Sequence, residues 1–354
     1  MEAQTRTTVA GALTAAVLLG SGGMPVTSAH AQDRLVVAGY GGSSEAIFRT
    51  QILAPFAAQH HLQIDYVAGP SASNLARLQA ERHQPAIDLA VLDDGPMQQA
   101  VTLGLCQPTA PAPVMHDLYD IATRYGDGKA VGIGVVATGL AYNTAAFAQH
   151  RWPAPTSWTD LANPLYRGHV LVPSIINTYG LQTLLALARQ GGGGAQNIEP
   201  GFAFLSGRVA PNVLTFETSS GKISELLQTG EVVLGVWGNG RTQALARTGF
   251  PVAFVTPREG AQALITSACV VAGSQHVALA QALLQELLSP RVQAVLAARA
   301  GWGPVNHTVR LDPAVARTVV YGDAAMAALV PVDWETVNPA RVAWTQRWMR
   351  EVER

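Results

Sequence analysis

The sequence predicts an α/β protein of two lobes joined by more than one crossing strand, with a ligand cleft between them. Three observations predict this. Short apolar runs alternate with amphipathic stretches from Leu35 onward, the pattern of a parallel sheet with helices on its faces. The alternation restarts near Val131, as a second unit requires. The chain has 354 residues, 48% of them hydrophobic and 13% charged, enough for about two domains with real cores.

The elements follow in order. Leu35 to Ala38 reads as a buried strand, and Gly39 to Gly42 as the turn after it. Ser43 or Ser44 is the expected cap of a helix running to about Gln59, with Ile47, Phe48, Ile52, Leu53 and Phe56 on one face. Ile64 to Val67 is a second strand, Ser71 or Ser73 caps the next helix, and Ile87 to Leu92 is a third strand. After the restart, Val131 to Val136 and Leu140 to Tyr142 read as two strands separated by a small-residue turn. Val170 to Val172, Val213 to Phe216, Val232 to Trp237 and the crossing run Val252 to Val255 are further strands, and Gly191 to Gly194 is a loop. Ala263 to Val271 is a long apolar strand, followed by helices over His276 to Leu288 and Pro290 to Ala300. Strand-end loops and helix starts of such lobes point into the cleft between them.

The first residues have a different character. Arg6 precedes the apolar run Val9 to Gly20, which is too short to span a bilayer, and small residues lead to Ala29-His30-Ala31. This order predicts a secretory signal peptide over 1–31, cut after Ala31, and a protein exported to the periplasm. Lys plus Arg number 23 against 24 Asp plus Glu, which excludes a generic nucleic-acid binder. The two cysteines, Cys106 and Cys269, exclude a disulfide-rich scaffold and a Cys-based zinc fold; whether they pair stays open. The histidines have no metal spacing, so neither a metal nor a cofactor is expected.

Several segments carry possible chemistry. Gly39-Tyr40-Gly41-Gly42-Ser43-Ser44 falls short of a dinucleotide fingerprint, because Ser44 stands at the last glycine position. It reads instead as a strand-end loop presenting Tyr40 to a ligand. Thr218-Ser219-Ser220-Gly221-Lys222 lacks the glycines of a P-loop or a nucleophile elbow. What remains is a helix start whose N–H groups and hydroxyls suit an anion or act as a cap. In Val236-Trp237-Gly238-Asn239-Gly240-Arg241 a strand ends at the indole, Asn239 is placed to cap the next helix, and Arg241 falls in its first turn. A cation there opposes the helix dipole, so Arg241 is either solvated or grips an anion.

At this point the sequence resembles the periplasmic solute-binding proteins of ABC importers, of the spermidine/putrescine-binding type. The resemblance is carried, in family order, by Tyr142-Asn143-Thr144, Pro155 to Leu161, Pro164 to Gly168, Gly230-Glu231-Val232, Trp237 to Arg241, Pro251 to Val255 and Pro257 to Ala261. Leu288-Ser289-Pro290, Gly301 to Asn306 and Asp333-Trp334 complete it. It implies a type 2 periplasmic binding protein fold, with two Rossmann-like lobes. Residues 32–137 and 256–305 would form the first lobe, 138–255 the second, and 306–354 a helical tail packed mainly on the second. It also implies a monomer without catalytic residues that delivers a small solute to an inner-membrane permease with its ATPase. The implied site takes Tyr40, Ser71, Ser73 and Asp93 from the first lobe and Thr178, Tyr179, Ser219, Ser220, Trp237, Asn239 and Arg241 from the second. Thr266 comes from the crossing strand.

The departures from that family pattern bear on the ligand. Leu264 and Thr266 stand where polyamine binders carry a Trp and an Asp, and Ile176 to Gly180 contains no carboxylate. A buried ammonium needs a compensating anion. The expectation is therefore a carboxylate-bearing or zwitterionic, amino acid-like solute rather than a polyamine. A ferric ion is a further alternative ligand, and a secreted enzyme using Cys106 or Ser219 is the alternative function.

Overall fold

The computed structural model describes residues 34–353 except residue 125, so the expected signal segment lies outside the described residues. Among the described residues nine strands form one sheet: β1 Arg34–Gly39, β2 Gln63–Ala68, β3 Leu89–Asp93, β4 Val131–Asn143, β5 Val170–Pro173, β6 Val213–Glu217, β7 Leu234–Gly238, β8 Val252–Val255 and β9 Gln262–Val270. Their order is β2-β1-β3-β9-β4-β7-β5-β6, with β8 paired to β4. At one end β1 pairs parallel with β2 and β3; at the other β5 pairs parallel with β6 and β7. The antiparallel strands β4 and β9 join the two halves.

Burial follows position. Strands β5 and β7, inside the sheet, are buried at every residue, as strands covered by helices on both faces must be. The edge strands β2 and β6 are mostly half-exposed. Eight helices matter below: α1 Ser43–Ile47, which continues through a π-turn to residue 60, α2 Ser71–Ala80, α3 Asp94–Thr102, α4 Thr178–Gln190, α5 Ser220–Thr229, α6 Asn239–Ala246, α7 Val277–Leu288 and α8 Trp334–Glu351.

The two expected strands around residue 138 are one strand, β4. It pairs with β9 through Val131 to Thr138 and with β7 and β8 beyond. Its small residues serve close approach rather than a turn, since a Cβ on Gly139 would lie 2.5 Å from the Val255 carbonyl oxygen of β8.

The expected caps need correction too. Gly42 caps α1 with a positive φ of 68° and no side-chain bond, and Pro70 precedes α2. Ser71 Oγ instead accepts the Asp93 N–H at 3.0 Å, tying α2 to β3. Two of the segments that carry the resemblance are structural. Glu259 accepts hydrogen bonds from Ser157 Oγ at 2.6 Å and from the Trp158 N–H, while the Trp158 indole donates to the Gly260 carbonyl at 3.0 Å.

Cys106 and Cys269 form a disulfide, with Cα atoms 5.8 Å apart. The bond ties the segment after α3 to the end of β9. It also leaves Cys106 without a thiol, which removes the expected alternative of a Cys106 nucleophile.

Candidate ligand-binding site

A cavity of about 1020 Å³ opens where the carboxyl ends of the parallel strands meet from the two halves of the sheet. Six strand-to-helix junctions contribute to its wall: β1 to α1, β2 to α2, β3 to α3, β5 to α4, β6 to α5 and β7 to α6. The geometry follows from the topology. In a parallel sheet every strand must be followed by a returning helix, so all the helix starts collect on one side. Free N–H groups and positive dipole ends collect there with them.

Of the twelve expected site residues, ten line this cavity: Tyr40, Ser71, Ser73, Asp93, Thr178, Tyr179, Ser219, Trp237, Arg241 and Thr266. Ser220 begins α5 beside it, and its side chain lies outside the description. Asn239 is not on the wall. Its Oδ1 accepts the Ala137 N–H at 2.9 Å and its Nδ2 donates to the Thr318 carbonyl at 3.3 Å, so it neither faces the cavity nor caps α6. Ser219 does cap its helix: Oγ accepts the Lys222 N–H at 3.4 Å. Among the described residues no histidine lines the cavity beside that hydroxyl.

Among the described residues Asp93 is the one carboxylate on the wall, and its hydrogen-bond partners are neutral. Tyr40 donates to Oδ1 at 2.5 Å and Thr178 donates to Oδ2 at 2.6 Å, so the group is satisfied from both halves of the sheet. Burial, with the Asp93 charge beside it, pushes the Tyr40 hydroxyl far above its ordinary range. Burial likewise pushes Tyr179 up to about 12, with Arg241 opposing the shift. Asp94, buried at the start of α3 behind Asp93, is pushed up to about 7 by loss of water, partly offset by the Trp334 indole.

Cations outnumber anions on the wall. Arg241 reaches Ser43 Oγ at 3.1 Å across the cleft. Its helix can approach because a Cβ at Gly240 would stand 2.8 Å from the Ala300 and Gly301 carbonyl oxygens. Two further arginines that sequence reasoning did not select, Arg299 and Arg341, also line the cavity. The formal balance is three arginines against one aspartate. The Trp237 indole N–H, on a residue only 2% exposed, has no hydrogen-bond partner among the described residues. Leu264 and Thr266, expected where polyamine binders carry Trp and Asp, both line the cavity, as does Trp302.

Comparison with known proteins is consistent with this architecture. The family described as bacterial extracellular solute-binding protein matches residues 51–323. A spermidine/putrescine-binding periplasmic protein of Escherichia coli is 30% identical over 173 residues, 48% of this chain and 49% of that protein. An ABC transporter substrate-binding protein of Bradyrhizobium japonicum superposes with a TM-score of 0.75 at 22% identity, covering 90% of this chain and 99% of that one. AfuA of Actinobacillus pleuropneumoniae, solved with fructose-6-phosphate, superposes with a TM-score of 0.75 at 19% identity, covering 91% of this chain and 99% of that one. The chain belongs to the bacterial extracellular solute-binding protein family, and its fold is the two-lobed α/β fold of periplasmic binding proteins.

Proposed function

We propose that this solute-binding protein captures a small anionic solute, carboxylate-bearing in the first instance, and delivers it to an ABC permease with its ATPase. The observation that carries the reading is the excess of positive ends in one cavity. Helix starts from six junctions and three arginines face a single carboxylate. In a site shielded from water such donors are worth roughly 1.5–3 kcal/mol each against a charged acceptor.

The site is formed by the ten cavity residues named above with Arg299 and Arg341; Ser220 adds its backbone N–H at the start of α5. Residues 32–137 and 256–305 form one lobe and 138–255 the other, with 306–354 touching both. The protein acts as a monomer in the periplasm, after cleavage behind Ala31.

A zwitterionic, amino acid-like solute also fits, with its ammonium against Asp93 and its carboxylate at Arg241. A polyamine does not fit well. Two or three buried ammonium groups would meet one carboxylate that already accepts two hydrogen bonds. A ferric ion finds little support: among the described residues no group of three or more His, Cys, Asp or Glu side chains is placed to hold a metal ion. AfuA, which shares the fold, was solved with a phosphorylated sugar, so a phosphate is the alternative anionic group.

Native mass spectrometry of protein purified without denaturation tests the reading. The expected carried-over species is an organic acid, an amino acid or a phosphate ester. Spermidine or putrescine as the retained solute would overturn it.

A further inference from the structure

Helix α8 is fastened to both halves of the sheet. At its start Trp334 sits so near α3 that a Cβ on Gly95 would come within 2.5 Å of the indole. Asn338 accepts from Gln99 Nε2 at 3.1 Å and donates to the Gly95 carbonyl at 3.1 Å. Near its end Trp348 is fully buried against Phe216 of β6, with ring centroids 5.9 Å apart. There Arg347 lies over the Phe202 ring and donates to Glu199. Arg341 stands between these two anchorages, on the cavity wall.

Its surroundings are unusual for a structural arginine. Asp93 and Asp94 are its charged neighbours, yet no hydrogen bond among the described residues engages its guanidinium. The oxygens of Asp93 accept from Tyr40 and Thr178, and Asp94 Oδ1 accepts the Gly95 N–H. An arginine serving packing alone normally spends its fork of donors bidentately on the nearest carboxylate. Here a partly buried guanidinium, feeling the charge of Asp93 and Asp94 but within salt-bridge distance of neither, leaves five N–H donors for something else.

We propose that Arg341 is a specificity-determining residue that donates to an anionic group of the solute, held at the cleft by a helix anchored on both halves. Helix α8 is thereby a third wall of the site. Asp93, joined by Asp94 above about pH 7 where it is ionised, balances the charge of Arg341 when the cleft is empty and holds back part of it when the cleft is filled. This rests on the reading of the cleft as an anion site.

The test is isothermal titration of gluconate, glycerol 3-phosphate and spermidine into wild type, Arg341→Gln, Arg341→Lys and Asp94→Asn, each first checked for cooperative melting. The expected result is anion binding by wild type and a loss of about tenfold or more in Arg341→Gln. Arg341→Lys should recover part of it, and at about pH 8, where Asp94 is ionised, Asp94→Asn removes a competing carboxylate and should bind the anion more tightly. If Arg341→Gln fails to fold, tighter binding in Asp94→Asn together with weakened binding in Arg341→Lys supports the assignment. Wild-type anion affinity in a folded Arg341→Gln, or unchanged affinity in both other variants, overturns it while leaving the anion reading intact. Wild type that binds spermidine, or neither anion, overturns both.

Discussion

The two halves of the sheet serve the cleft differently. The half built on β2, β1, β3 and the end of β9 is cross-linked by Cys106–Cys269 and brings Asp93, a carboxylate already satisfied by two hydroxyls. The half built on β7, β5 and β6 has no cross-link among the described residues. It brings Arg241 and the Trp237 indole, donors that protein groups only partly use. The cross-link stands on one side, and Arg241 with the unpartnered indole on the other. Mutations should therefore separate stability from binding.

The largest break comes from the disulfide. It closes a loop of 163 residues, and replacing both cysteines by Ala should cost about 3–5 kcal/mol in a urea melt. Solute affinity should stay within about twofold, because neither sulfur reaches the cavity.

Asp94 gives the next effect, and its sign can be worked out. Its carboxyl rises from 3.8 to about 7 on folding, so the folded state holds a proton that the unfolded state has lost between those values. Stability must then fall as pH rises from about 4 to about 7, and level off above. Asp94→Asn should flatten that slope and raise stability at pH 8 by on the order of 2–3 kcal/mol, read from melts across pH. An unchanged slope would show that Asp94 titrates normally.

On the other half, Arg241→Gln should weaken the retained anion by roughly 30- to 100-fold, as the loss of charged hydrogen bonds implies, with little change in melting temperature. Calorimetry decides this. The smallest effect belongs to the bridge between the halves. Thr178→Val removes the bond to Asp93 and should cost about 1 kcal/mol of stability, read from a urea melt.

Much of the fold is legible in the sequence, because apolar runs and helix periodicity are local signals. The failures share a cause. Ser71 and Asn239 look like helix caps, but each has a better partner that only the folded chain brings near: the Asp93 N–H for one, the Ala137 N–H for the other. Ala137-Thr138-Gly139 looks like a turn because small residues are ambiguous. They permit a bend or a close approach, and here β8 and β7 make the approach. Most of the cavity wall was reachable by reasoning from strand-end loops. Arg299 and Arg341 were not, since each sits within a helical segment far from any strand end, where a lone arginine reads as solvated. The segments most recognisable in the sequence, around Trp158 and Glu259, hold each other rather than a ligand.

The most direct test is a fluorescence titration of the folded wild-type protein, since Trp237 and Trp302 both face the cavity. Gluconate or glycerol 3-phosphate should change the emission saturably and less strongly as salt rises, while spermidine should leave it unchanged. A saturable response to spermidine with none to either anion would contradict the anion-binding cleft.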